Sequence, residues 1–195
     1  MKRYHNSNKI KKTIIQSSEV IANSISLIHE IEETIDTITN CIKNGKKIVI
    51  FGNGGSAADA QHIAAELIGR FGMDRKSYPA LSLTTDSSTM TSIANDYSFD
   101  IVFSRQCESL VSKGDVVIGI STSGNSKNVK YGLQTAKKKG AITIGLLGNN
   151  GGSIKKTVDI SIIINSSSTP RIQEAHRTIY HIICEAVEMN LTKKR

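Results

Sequence analysis

The isoleucines Ile21, Ile25, Ile28, Ile31, Ile35, Ile38 and Ile42 recur in steps of three and four. That spacing draws one apolar stripe along a helix, so residues 1–44 read as a helical region. The stripe suits packing on the chain's own core and docking against a partner subunit equally well. After Gly45 the period changes to short, β-branched runs at Lys47–Phe51, Ala80–Thr84, Val116–Ile120, Ile142–Leu147 and Val158–Ile164. Each has the length and composition of a buried strand. Helix-length segments at Ala57–Gly69, Asp100–Val111 and Asn128–Lys139 separate them, and a last helix is expected over Arg171–Leu191. Strands alternating with helices imply a parallel sheet covered on both faces, with ligands held beyond the carboxyl ends of the strands.

A chain of 195 residues is long enough for one well-buried core and short for two, so residues 1–195 are expected to form a single domain. The apolar runs are strand-sized and the Met1-Lys2-Arg3 start leads into polar residues. This is the pattern of a cytoplasmic protein with no membrane association. Cys41, Cys107 and Cys184 are odd in number and widely spaced, which fits neither a disulfide framework nor a thiolate metal site, so they are expected to be reduced and structural. The formal charge of +8 favours anionic partners. Aromatic residues make up only 5% of the chain, which leaves few platforms for stacking bases and weighs against a nucleic-acid groove.

Two loops carry the chemistry. The first strand empties into Gly52-Asn53-Gly54-Gly55-Ser56 directly before a helix, where glycines admit a ligand to the backbone and free N–H groups attract an anion or sugar hydroxyls. The string also satisfies a relaxed dinucleotide fingerprint through Gly52, Gly54 and Ala57, with Asp86 as a ribose ligand. The third strand ends in Ser121-Thr122-Ser123-Gly124-Asn125-Ser126, again before a helix. Four hydroxyls in six residues exceed what an N-cap requires and favour a phosphomonoester site, which a dinucleotide fold does not need. On the helix after the glycine loop, His62 and Glu66 are four residues apart and share one face. Gln173 and His181, eight apart on the last helix, share a broad face that His176 does not.

With Asp59, Asn95-Asp96 and the run Arg171-Ile172-Gln173-Glu174 ahead of His181 added to these loops, the chain resembles the bacterial phosphoheptose isomerases of the sugar isomerase (SIS) domain family. The motifs match from about Gly45 to the end, and the N-terminal helices match in character only. The resemblance makes the dinucleotide reading a distant alternative. It implies a three-layer αβα sandwich with a five-stranded parallel sheet, flavodoxin-like, carrying added N-terminal helices. It implies conversion of sedoheptulose 7-phosphate into D-glycero-D-manno-heptose 7-phosphate for surface heptose synthesis, with no nucleotide cofactor. It further implies a homotetramer whose active sites combine residues from neighbouring subunits, and one zinc per subunit on His62, Glu66, Gln173 and His181.

Moving a carbonyl between adjacent carbons requires taking a proton from carbon and returning one, most simply through an enediol. Following the family, Glu66 is the base on carbon and His181 the acid–base group serving oxygen or ring opening. Ser121, Thr122, Ser123 and Ser126 would hold the phosphate. Asn53, Gly54, Gly55, Ser56, Glu66, Asn95, Asp96 and Gln173 would contact the rest of the substrate, although Asn95-Asp96 reads almost as well as a turn closing a helix. Pro170 stands where some relatives carry an Asp. Two other functions fit parts of the pattern: a non-catalytic SIS adaptor for the replication initiator protein, and an isomerase of another phosphosugar. An adaptor has no need of both Glu66 and His181.

Overall fold

The computed structural model describes residues 7–192; the basic start and the Lys193-Lys194-Arg195 tail lie outside the described residues. Strands β1 (Ile48–Gly52), β2 (Ala80–Ser82), β3 (Val116–Ser121), β4 (Ile142–Gly148) and β5 (Ile160–Ile164) pair in parallel in the order β2-β1-β3-β4-β5. The side-chain period of two divides their apolar residues between two cores. Ile48, Ile50, Ile118 and Ile144 pack beneath α2 (Ile28–Lys43), α3 (Gly55–Ile68) and α7 (Thr169–Thr192). Val49, Phe51, Val117 and Leu147 face α5 (Val102–Leu110) and α6 (Lys127–Lys138). Every residue of β1 and β3 is buried, which is why these strands read as unbroken apolar runs. Each fully buried Ile stabilises the fold by roughly 2 kcal/mol. The result is the expected αβα sandwich with a five-stranded parallel sheet.

Sheet order places the chemistry. From β1 the chain moves outward to β2, and from β3 it moves the other way to β4. The carboxyl ends of β1 and β3 therefore flank the point where the winding reverses, the crevice in which open α/β sheets bind ligands. Both loops singled out above open there, because Gly52 pairs with Ile120 at the strand ends.

The N-terminal region differs from one continuous helix. α1 (Ser7–Asn23) stops at a 3₁₀ turn over Ser24–Leu27 before α2 begins. The hydroxyls of Ser24 and Ser26 bond back to the carbonyls of Val20 and Asn23, a local competitor to regular helix. The turn redirects the isoleucine stripe: Ile31 and Ile38 enter the core, while Ile25 is 71% exposed and Ile28 51%. α1 buries none of its residues and packs along α7. A further helix, α4 (Ser87–Asp96), was not among those the periodicity predicts. It is set by its cap, since Asp86 accepts from Thr89 N at 3.0 Å and Thr89 Oγ1 at 2.6 Å. β5 starts at Ile160 instead of Val158, because the Asp159 carboxylate itself accepts from Thr143 N at 2.9 Å and Oγ1 at 2.7 Å. All three cysteines are free and buried. Burial pushes the Cys41 thiol up to about 11 and those of Cys107 and Cys184 to about 12.

Candidate active site

The serine-rich loop after β3 is built from hydroxyls that touch one another. Ser121 Oγ lies 3.0 Å from Ser126 Oγ and 3.4 Å from Ser123 Oγ, and Ser123 Oγ accepts from Asn125 N at 3.1 Å. Ser121 is buried and Ser123 exposed, so the hydroxyls rise from the sheet edge toward solvent. The loop is braced from behind by backbone. Gly124, at φ 66°, lies so close to Gly151 and Gly152 that a β-carbon there would overlap their main chain. Ile154 N bonds to Gly124 O at 3.0 Å, and Ser153 N to Asn125 Oδ1 at 2.9 Å. Thr122 contributes its carbonyl to Asn149 Nδ2 at 2.9 Å.

Across the crevice, Gly54 holds φ 55° at the start of α3, a left-handed conformation that glycine adopts without cost. Neither α3 nor α6 has a side-chain cap, whereas α4, which does not start at the crevice, has Asp86. Two uncapped helix N-termini, one from each layer, thus converge on the same point, which is favourable for an anion. The loops are tied together by a residue that sequence reasoning missed. Buried Asn128 in the first turn of α6 exchanges two hydrogen bonds with Asn53, each 2.9 Å. Its only sequence signal was a polar residue at a buried helical position. Ser56 is almost fully buried, and the Gln173 amide lies against Gly55. Asn95 and Asp96 end α4, exposed and bonded to each other at 2.9 Å.

Deeper along α3, a second cluster forms where α7 runs beside it. His62 Nε2 is 2.8 Å from Glu66 Oε1, and the His181 ring stands edge-on to His62 with centroids 5.1 Å apart. Ligand atoms of His62, Glu66 and His181 all lie within 4.8 Å of one another. The His62 side chain is 37% exposed and that of Glu66 21%, so the cluster opens to solvent. Burial, reinforced by the neighbouring His62, holds His181 below its ordinary value. Two imidazoles and a carboxylate are a recognised catalytic zinc set that leaves a position open, so these three residues fit the metal. Gln173 is not gathered with them: it sits eight residues before His181, about 12 Å of helix rise, at the crevice end of α7. Within one chain the expected set of four is three.

The layers below fix this cluster. His62 Nδ1 is 3.0 Å from Tyr180 OH, which lies 3.2 Å from Asp59 Oδ1, and Arg177 bonds the same oxygen at 3.0 Å. The Phe71 ring, 5.9 Å from that of His181, belongs to the segment after α3. Glu188 orders that segment by accepting from the N–H groups of Phe71, Gly72 and Met73 and from Arg75 Nε, at 2.7–2.8 Å. Asp86, the ribose ligand of a dinucleotide reading, is engaged with Thr89.

Comparison with known proteins agrees with this geometry. Residues 9–148 match the SIS domain family. The phosphoheptose isomerase of Sulfurimonas denitrificans is 50% identical over 194 residues, covering 98% of this chain and 97% of that protein. That of Geobacter metallireducens is 57% identical over 152 residues, covering 78% and 80%. The solved phosphoheptose isomerase of Neisseria gonorrhoeae shares the fold at a TM-score of 0.89 and 36% identity, over 93% of this chain and 98% of the other.

Proposed function

The chain belongs to the SIS domain family, among its phosphoheptose isomerases, and from that premise we propose how its residues interconvert sedoheptulose 7-phosphate and the corresponding heptose 7-phosphate. The observation that carries the reading is the convergence of Glu66 and His181 from separate helices within 4.8 Å. A non-catalytic adaptor would have no use for it.

Ser121, Thr122, Ser123 and Ser126 hold the phosphate beside the uncapped starts of α3 and α6, and its binding energy positions the reacting carbons. Asn53, Gly54, Gly55, Ser56 and Gln173 line the approach, with Asn95 and Asp96 completing the sugar contacts. Glu66 takes the proton from the carbon beside the carbonyl and returns it to the neighbouring carbon. His181, kept neutral by its surroundings, exchanges the proton on oxygen. Glu66 Oε1 meets His62, which leaves its second oxygen for the substrate. Zinc held by His62, Glu66 and His181 would supply Lewis-acid polarisation of the carbonyl.

His62 and Glu66 lie seven and eleven residues beyond Gly55 on α3, about 10 and 16 Å of helix rise from the anion site. That separation, the solvent-open cluster and the exposed isoleucines of α1 support sites shared between subunits of a homotetramer. Among the described residues no helix is long and apolar enough to cross a membrane. We place the enzyme in the cytoplasm, supplying heptose for lipopolysaccharide or capsule.

Purified protein should turn over sedoheptulose 7-phosphate, and Glu66→Gln and His181→Ala should each lower kcat by about 10²- to 10⁴-fold. Undiminished turnover in either variant would remove that residue from the mechanism. Activity confined to a shorter phosphosugar would replace the substrate.

A further inference from the structure

His62 is engaged at both ring nitrogens, and the partners of one decide what the other presents. Its Nδ1 meets Tyr180 OH at 3.0 Å, and the same phenol lies 3.2 Å from Asp59 Oδ1. Asp59 and Tyr180 are each 2% exposed, so no bulk water competes for these contacts. An ionised carboxylate can only accept, and a phenol has one proton to give. Arg177 donates to the same Asp59 oxygen at 3.0 Å, the ion pair of a guanidinium with a carboxylate. Tyr180 therefore donates to Asp59, and its oxygen can meet Nδ1 only by accepting the Nδ1–H of His62. Nε2 is left with its lone pair 2.8 Å from Glu66 Oε1, and two electron pairs so close require a cation between them, a second ring proton or the metal. Two electron-pair donors then face one point, with His181 beside them.

We propose that Asp59 and Tyr180 are positioning residues that lock His62 in the Nδ1–H tautomer and aim its Nε2 lone pair into the Glu66–His181 cluster. This rests on reading that cluster as the isomerase centre. It assigns a task to a buried tyrosine and a buried aspartate that touch no substrate in the proposed mechanism. A histidine whose far N–H is donated through such a relay is a better-oriented and more basic ligand, and loss of the relay typically lowers metal affinity about 10- to 100-fold.

The test uses the full-length protein with ¹⁵N-labelled histidine, observed by long-range ¹H–¹⁵N correlation above the ordinary histidine titration range, with His62→Gln to assign the signal. Wild type should show His62 as Nδ1–H. Tyr180→Phe keeps the ring and removes the relay, and should lose that tautomer preference with an unchanged melting temperature. In Asp59→Asn the new amide can donate to the phenol oxygen and free its proton for Nδ1, which should turn His62 to Nε2–H. Zinc alone, titrated against a chromophoric chelator, should bind Tyr180→Phe about 10- to 100-fold more weakly than wild type. An Nε2–H tautomer in wild type, or an unaltered tautomer in both variants, would overturn the proposal. The expected tautomers with no zinc binding to wild type would uphold the relay and remove the metal from the proposed mechanism.

Discussion

Gly55 faces the Gln173 amide so closely that a methyl group in its place would displace it. The displaced group is the end of a flexible side chain, so Gly55→Ala should leave the melting temperature nearly unchanged. Losing the one substrate hydrogen bond we assign to Gln173, roughly 0.5–1.5 kcal/mol, should raise KM by about 2- to 13-fold. A normal KM would take Gln173 out of the substrate site. The same scale shows what a single chain of letters conceals. Glu66 and His62 were legible as an i, i+4 pair, and the hydroxyl density of Ser121–Ser126 marked the loop to which we assign the phosphate. Tyr180 was not legible: its phenol reaches Asp59 and His62 across a helix–helix contact that no local spacing encodes. Asn128 was hidden likewise, since its partner Asn53 lies on another strand's loop.

Among the elements, α7 does the most positioning, because one helix carries Gln173, Tyr180, His181 and Glu188 past the whole length of α3. At its far end, burial alone would raise the Glu188 carboxyl, but three backbone N–H groups and Arg75 overcome it and hold the group at about 2. Arg75 in turn donates to the carbonyls of Glu66, Leu67 and Gly69, closing the end of the helix that carries Glu66. Glu188→Gln would leave a buried guanidinium without its anion, and chemical denaturation should show a loss of about 3–5 kcal/mol. Element types were largely readable from hydrophobic period. The exceptions are instructive, because α4 and the break between α1 and α2 are decided by side-chain bonds to backbone, which leave no period of their own.

At the scale of the whole molecule, acid should unfold the protein in stages. His176 is fully buried beneath β4, and burial pushes it down to about 4 although its Nε2–H donates to Leu147 O at 3.0 Å. The unfolded chain takes up this proton near 6.5 and the folded chain does not. The associated stability is therefore complete above 6.5 and is lost as pH falls toward 4, on the order of 3 kcal/mol. Glu188 adds a second loss as pH falls from its ordinary 4.5 toward 2. Scanning calorimetry should find the melting temperature falling by about 10 °C across the first interval, and His176→Gln should flatten it. Light scattering at micromolar concentration should find a tetramer. A monomer would leave Ile14, 62% exposed on α1, without the subunit contact we assign to that face.

The main-chain brace behind the serine loop has a consequence for substrate length. Gly124 rests on Gly151 and Gly152 with no side chain between them, so substitution elsewhere has nothing there to enlarge or trim. On the proposed reading, the phosphate end then works as a fixed stop, like the closed end of a ruler. Which carbon then reaches Glu66, the base we propose, would depend on how many carbons separate it from that stop. The number of carbons an enzyme on this scaffold accepts would be altered from the far end, by moving the base or the sugar contacts, while the zero of the scale stays where the glycines put it.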